Sequence, residues 1–160
     1  MCFTKVPIKE LMKNILILIL LSVLIPSCKK DKIDPDGGKT NAELISLSQW
    51  KLERFASPDG QTITQSELSS EANFLFLMNF EFKSDGEVRG IDQTSKSIID
   101  KGVWKFIDGE DAVNVKLTGL DYDFRIVILQ TGKLTLQAPT GNFLSGLGDQ
   151  INLEFSSVTL

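Results

Sequence analysis

The segment FLFLMNFEFKSDGEVRGIDQ, residues 74–93, decides the fold class of this chain. Its first ten residues, 74–83, are almost continuously apolar, and a Ser-Asp-Gly turn separates them from a second extended segment, 87–93. Aromatic and β-branched residues favour strands, and two strands joined by a short turn pair antiparallel. The segment therefore predicts a β-hairpin.

The same pattern of strands and short Gly- or Asp-containing turns continues through most of the chain. Six further strands are predicted, over residues 50–55, 98–107, 112–117, 122–131, 133–138 and 151–157. Eight antiparallel strands in sequence order are enough to close a barrel, which leaves no exposed sheet edge. A short N-terminal helix is expected over 40–47, with Thr40 and Glu43 forming a capping box. The fold class is therefore all-β, an eight-stranded antiparallel up-and-down barrel.

Apolar side chains alternate with polar ones along these strands, as expected of a sheet with one buried face. The predicted inner face comprises Trp50, Leu52, Phe74, Phe76, Met78, Phe80, Phe82, Trp104, Phe106, Val113, Val115, Leu117, Tyr122, Phe124, Ile126, Ile128, Leu134, Leu136, Ile151, Leu153 and Phe155. The polar segment 56–73 lies between two strands and is predicted to be a mobile loop at the barrel mouth.

The N-terminal region is predicted to be a signal peptide, residues 1–27. Residues 14–25, NILILILLSVLI, form an apolar run of the length typical of a signal-peptide core, and Lys13 precedes it. Met12 is a plausible true start for such a leader. This run is too short to span a membrane comfortably.

The leader ends in Leu24-Ile25-Pro26-Ser27-Cys28, which resembles the lipobox of bacterial lipoproteins. That resemblance implies cleavage before Cys28, acylation of its sulfur and amino terminus, and a place in the cell envelope as an outer-membrane lipoprotein, periplasmic or surface-facing. Two or three acyl chains hold a protein on a bilayer almost permanently. The alternative is a plain secreted protein with Cys28 as a chance thiol. Residues 28–40 are then a charged tether containing Pro35 and two glycines, and 41–160 the folded domain.

Composition excludes several functions for the mature part. It carries 14 basic and 20 acidic residues, a net charge of −6, which disfavours nucleic acid and anionic lipid surfaces. The chain has no histidine, so imidazole-based catalysis and metal sites are excluded. Its two cysteines are Cys2 and Cys28, and loss of the leader leaves no partner for a disulfide. We expect no enzyme activity, cofactor or metal.

The arrangement Leu47-x-x-Trp50-x-Leu52, Phe80-x-Phe82 before Ser84-Asp85-Gly86, Gly102-x-Trp104, the run 122–129 and Leu134-x-Leu136 resembles the lipocalin-like domains of small bacterial lipoproteins. The resemblance covers residues 43–155. Ser48 stands where such domains often carry glycine. The resemblance implies a binding barrel and supplies no catalytic residues.

The candidate ligand site is the barrel interior. Its lining is predicted from the inner face as Trp50, Phe76, Met78, Phe80, Trp104, Phe106, Tyr122 and Phe124. The bulk of these side chains also fits a filled core. The glycine-containing loop 141–148 would cap one end of the barrel.

Two functions follow from these alternatives. A cavity connected to solvent predicts non-catalytic binding of a small apolar or amphiphilic ligand at the barrel mouth, and a filled barrel without one predicts a protein–protein accessory module of an envelope complex. A carboxylate hydrolase would require two acids facing one another in a cleft.

Overall fold

Nine strands and two short α-helices form the structure, a computed structural model that describes residues 36–141 and 149–158. The helices are α1 (Asn41–Ser46) and α2 (Ser70–Leu75). The strands are β1 (Gln49–Ala56), β2 (Thr62–Ile63), β3 (Met78–Phe82), β4 (Glu87–Asp92), β5 (Ile98–Ile107), β6 (Ala112–Leu117), β7 (Leu120–Gln130), β8 (Lys133–Pro139) and β9 (Gln150–Val158). Two single-turn 3-10 helices, Gln65–Glu67 and Asp108–Glu110, lie in the connections.

The strands close into an antiparallel barrel. From β3 to β9 each strand pairs with the next, and β1 pairs with β3 on one side and β9 on the other. The two-residue β2 pairs only with the end of β1 and lies outside the closed ring. The ring thus has eight strands in up-and-down order, which confirms the predicted fold class.

The barrel closes partly because the strands bend at bulges and at one obligatory glycine. A Cβ atom on Gly102 would lie 1.7 Å from the carbonyl oxygen of Lys116, so β5 and β6 approach too closely for any other residue. Across the seam between β1 and β9, Arg54 donates two hydrogen bonds to Glu154, at 2.9 and 3.0 Å. This two-point contact holds the ring shut where the register shifts.

One end of the barrel is closed by α1, and we call it the closed end. The capping box is confirmed: the backbone N–H of Thr40 donates to Glu43 Oε2 at 2.7 Å, and the N–H of Glu43 donates to Thr40 Oγ1 at 3.2 Å. Ile45 is fully buried, and the indole of Trp50 donates to the Ile45 carbonyl at 2.7 Å. The starts of β1, β4, β6 and β8 lie at this end, by the register of the sheet.

The predicted strand over 74–83 is wrong in its first half. Ser69 caps α2 by accepting from the N–H of Ala72, so the chain is helical through Leu75, and β3 begins only at Met78. Phe74, expected to face inward, is 50 % exposed. The predicted loop 56–73 is likewise not a plain loop, because it contains β2, a 3-10 turn and most of α2. A local cap and the tertiary contacts of Ala72 and Leu75 override strand propensity here.

Bulges shift the predicted inner face at two further places. The bulge between Leu52 and Arg54 turns Phe55 into the core, where it is 0 % exposed, although alternation from Trp50 would turn it outward. The bulge between Ile126 and Ile128 has the same effect on β7: Leu129, and not the predicted Ile128, packs against the core. An extra residue reverses which side of the sheet each later side chain faces.

Candidate functional site

A cleft opens at the end of the barrel opposite α1, which we call the open end. Its volume is about 640 Å³. Three elements surround it: α2, the start of β5, and the turn between β6 and β7. The lining residues are Ser70, Glu71, Phe74, Leu75, Met78, Asp100, Leu117, Thr118, Gly119, Leu120 and Tyr122. The inner wall of the cleft is apolar, whereas hydroxyl and carboxylate groups lie at its rim.

The helix α2 is held over the barrel end by apolar and polar contacts. Ala72 is 0 % exposed and Leu75 8 %, so one face of the helix is buried. On the polar side, Asn73 Nδ2 donates to the carbonyl of Gln65 at 3.0 Å. Just beyond the helix, Gln93 Nε2 donates to the carbonyls of Phe76 and Met78, at 3.0 and 3.1 Å. These bonds fix the chain as it leaves α2 and enters β3.

The opposite rim is held by Asp100, which lies near the start of β5. Its Oδ2 accepts from the backbone N–H of Thr118 at 3.1 Å, and its Oδ1 accepts from the Thr118 hydroxyl at 3.0 Å. Asp100 also accepts from the N–H of Lys101 at 2.8 Å. The carboxylate therefore has a structural role, because it anchors the β6–β7 turn, and it also contributes a negative charge to the cleft.

Glu71 supplies the second carboxylate of the cleft. Its own backbone N–H, followed by the hydroxyls of Ser70 and Ser69, holds the pKa of the Glu71 carboxyl below its usual range. Glu71 is therefore ionised at neutral pH. A glycosidase-type acid needs a pKa shifted upward, so that it carries a proton to donate. Two acids line one cleft, but Glu71 is shifted in the direction that favours binding of a positive charge over proton donation.

The predicted interior residues separate into two groups. Met78 and Tyr122 line the cleft. A Cβ atom on Gly141 would lie 3.4 Å from the Tyr122 hydroxyl, so the start of the β8–β9 loop is also close to this end. The remaining six pack into or against the core: Trp50, Phe80, Trp104 and Phe124 are buried, and Phe76 and Phe106 are partly buried.

The aromatic side chains of the core pack edge to face against one another, and the indole of Trp104 also donates a hydrogen bond to the backbone. Trp104 donates its indole N–H to the carbonyl of Lys83 at 2.8 Å, and its ring contacts Phe82 and Phe106 edge to face, with centroids 5.5 and 5.2 Å apart. Phe76 likewise meets Phe55 edge to face at 5.5 Å. Such contacts are typical of a packed core.

The predicted ligand site lacked nine of the eleven residues that line the cleft: Ser70, Glu71, Phe74, Leu75, Asp100, Leu117, Thr118, Gly119 and Leu120. One signal was available for Asp100. Counting back by twos from the inward Trp104 reaches Gly102 and then Asp100, an acid on the inner face of the strand. Nothing local to residues 70–74 indicates that a helix there would cover a barrel end.

Several predicted features lie outside the described residues. They include the signal peptide 1–27, Cys28 and the tether up to residue 35, together with most of the loop 141–148. In the described part of the chain, no helix combines the length and apolar character needed to cross a membrane. Within the same ranges, no three Cys, Asp or Glu side chains come together as a metal site would require.

Comparison with known proteins found similarity to a solved structure. No protein-family model matches the chain, and no curated protein matches it. The crystal structure of a DUF4847 family protein from Bacteroides vulgatus is similar over 76 % of this chain and 99 % of its own, with 14 % sequence identity and a TM-score of 0.48.

Proposed function

We propose that this protein is a lipid-anchored envelope protein whose barrel binds a small amphiphilic ligand, without catalysis, in the cleft at its open end. The observation that carries the proposal is the cleft itself. A volume of about 640 Å³ lies within the range of small-molecule sites, roughly 300–1,000 Å³. Its apolar inner wall suits a hydrocarbon or aromatic group, and its hydroxyl and carboxylate rim suits a polar end.

The filled interior determines where the ligand binds. Trp50, Phe55 and Leu134 are at most 1 % exposed, and they leave no room for a ligand along the barrel axis beside them. The proposed ligand therefore binds at the barrel mouth, which is the open end, and not beside the core residues that were predicted to line the site. Of the predicted lining, only Met78 and Tyr122 take part.

The proposed anchor gives the barrel an orientation. The backbone N–H of Thr131, in the β7–β8 turn, donates to Asp36 Oδ1 at 2.6 Å, so the chain reaches the barrel at its closed end. Cys28 precedes Asp36 by eight residues, which span at most about 29 Å. An acylated Cys28 would keep the closed end near the membrane, and the cleft would open at the far end.

The anchor is tested by metabolic labelling with a radioactive or alkyne-bearing fatty acid. The wild-type chain should incorporate label, and Cys28→Ala should not. The matched control is Cys2→Ala, which should label normally because that cysteine lies ahead of the cleavage site. Label on Cys28→Ala would refute the anchor.

The ligand site is tested by native mass spectrometry of the chain purified from its host. We expect a co-purifying small molecule that is absent from Ser70→Trp, because an indole at that exposed rim position would fill the cleft. Ser84→Trp, in the exposed turn at the closed end, is the matched control and should retain the molecule. Equal loss or equal retention in both variants would contradict the site.

A second candidate function has one observation in its favour. Four large apolar side chains at the open end are substantially exposed: Phe74, Leu77, Ile98 and Ile99, at 43–56 %. Such a group is typical of a protein-contact surface. Photocrosslinking from position 77 in the living host would favour the accessory-module alternative if it captured one defined envelope protein, and capture of none would argue against it.

A further inference from the structure

The charge distribution around the cleft indicates which polar end its ligand carries. Glu71 and Asp100 both line the cleft, and no Lys or Arg is among its described lining residues. The segment that connects β1 to β3 across the open end, residues 57–77, contains Asp59, Glu67 and Glu71 and no basic residue, and Arg54 near the end of β1 donates to Glu154. The two carboxylates in the cleft therefore have no neutralising partner on the cleft wall.

The basic residues that lie nearest in sequence to Asp100 and Thr118 are on the outer side of the barrel or in an exposed turn. Lys116 lies between the inward Val115 and Leu117 on β6, so it faces the outer side, where its Nζ donates to Asp121 at 2.7 Å. Lys101 follows Asp100 on β5 and pairs across the sheet with Arg89, again on the outer side. Lys96 lies in the exposed β4–β5 turn, outside the lining. None of these three supplies a positive charge to the cleft wall.

The rest of the cleft also favours a cation. The rings of Phe74 and Tyr122 line it beside the two carboxylates, and aromatic faces attract ammonium and guanidinium groups. An anionic head group would instead approach two negative charges in a partly enclosed site, where repulsion is less screened than in bulk water. Leu75, Met78 and Leu117 supply a buried apolar surface behind the charged rim.

We infer that the ligand is a cationic amphiphile: an amine, ammonium or guanidinium group carried on a compact apolar or aromatic body. The inference rests on the proposed function, since it names the ligand class of the same cleft. In this arrangement the apolar body lies against the buried side chains, while Glu71 and Asp100 hold the positive end at the rim. Fatty acids and other anionic amphiphiles are excluded.

The test uses three water-soluble probes that differ only in their polar end: 4-phenylbutylamine, 4-phenylbutan-1-ol and 4-phenylbutyrate. Binding to the full chain in phosphatidylcholine nanodiscs is measured by calorimetry, with empty nanodiscs subtracted. We expect the amine to bind about tenfold more tightly than the alcohol, and the carboxylate most weakly, because two partly exposed ion pairs each contribute up to ~5-fold.

Variants then assign the preference to the two carboxylates. Glu71→Gln and Asp100→Asn should each reduce the preference for the amine over the alcohol by about threefold, because each removes one of the two negative charges at the rim. Asparagine can still accept from the backbone N–H of Thr118, but its amide nitrogen cannot accept from the N–H of Lys101, so the melting temperature is measured to verify that the turn is intact. Glu67→Gln is the matched control, because Glu67 is on the same segment but does not line the cleft, and it should change nothing.

The outcomes separate this inference from the proposed function. Equal binding of all three probes, or tightest binding of the carboxylate, overturns the cationic preference while the cleft survives as a ligand site, provided that Ser70→Trp abolishes binding. An amine preference that persists in both Glu71→Gln and Asp100→Asn also overturns it. If no probe binds, or if Ser70→Trp leaves binding intact, both the cationic preference and the proposed ligand site are overturned.

Discussion

The two ends of this barrel are built from similar parts and serve different purposes. Each carries a six-residue helix with a hydroxyl N-cap, Thr40 for α1 and Ser69 for α2. At the closed end, Ile45 is fully buried and bonded through its carbonyl to Trp50. At the open end, Phe74 is half exposed above a cleft. Two helices of the same length and with the same kind of cap therefore differ in packing: α1 is buried on the core at the closed end, whereas α2 lies beside a cleft at the open end.

Burial explains the contrast in energetic terms. Burying a large apolar side chain completely contributes roughly 1.5–3 kcal/mol, and a half-exposed one contributes correspondingly less. Phe74 and Leu77 therefore contribute less to stability than the buried residues of the closed end. Their exposed apolar surface lies beside the carboxylates of the cleft.

The largest effect is expected at Trp50. Trp50→Ala should lower the free energy of unfolding by about 3–5 kcal/mol, because it removes a buried ring and leaves the Ile45 carbonyl without its indole donor. Chemical denaturation followed by circular dichroism measures this change. Phe74→Ala, an aromatic at the open end, should cost only about 1 kcal/mol, because it is already half exposed. Equal costs would mean that the two ends do not differ as described. Should Trp50→Ala fail to fold, Trp50→Phe should still cost more than Phe74→Ala.

A smaller effect on the free energy of unfolding is expected for an aliphatic residue at each end, Ile45 at the closed end and Leu77 at the open end. Ile45→Ala should cost about 2–4 kcal/mol, since it creates a cavity where α1 meets the barrel. Leu77→Ala, at a position 56 % exposed, should cost no more than about 1 kcal/mol. Thermal melts of both variants decide the comparison, which fails if Leu77→Ala is the more destabilising.

Removing the two helix caps should have different effects: loss of the α1 cap should lower stability, and loss of the α2 cap should weaken ligand binding. Thr40→Ala should lower global stability by about 1 kcal/mol, because α1 closes the core. Ser69→Ala removes a bond of 3.1 Å to the N–H of Ala72, and it should loosen α2 and weaken ligand binding with little change in melting temperature. Amide exchange of residues 41–46 and 70–75 measures how readily each helix opens, and calorimetry with 4-phenylbutylamine measures ligand binding. A reversed pattern, with binding lost in Thr40→Ala alone, would place the site at the wrong end.

The smallest expected effect is on the loss of stability at acidic pH. The backbone N–H and the hydroxyl of Thr40 hold the pKa of Glu43 below its ordinary value of 4.5. A carboxyl with a lowered folded-state pKa adds stability that is present above the unfolded value and is lost as the pH falls through the folded one. Glu43→Gln should therefore reduce the loss of stability between pH 5 and 3, as seen in urea titrations at several pH values. An unchanged acid profile would contradict the capping role.

Local patterns predicted much of the barrel. The strands over 98–107 and 112–117 have the predicted bounds, and the Thr40–Glu43 capping box is present as predicted. In these places short-range signals act together: alternation, a turn residue or a cap. They require no knowledge of what lies across the sheet.

Prediction failed where distant residues determine the local conformation. Residues 74–77 have strong strand propensity, but Phe74 and Leu75 form the last part of a helix that is packed onto the barrel through Ala72. Phe55 faces inward because of a bulge against β9, about a hundred residues away in the chain. The cleft was missed for the same reason, since Glu71 and Asp100 come together only after closure.

Alternation, turn residues and caps act within a few residues, so the amino-acid sequence was enough to predict the eight strands of the ring, their order and the cap of α1, but not the two-residue β2. The filled interior, the closure of one end by α1 and the cleft with an acidic rim at the other end were visible only in the tertiary structure. Those features depend on the register with which β1 meets β3 and β9, and pairing between residues so far apart in sequence leaves no local signature.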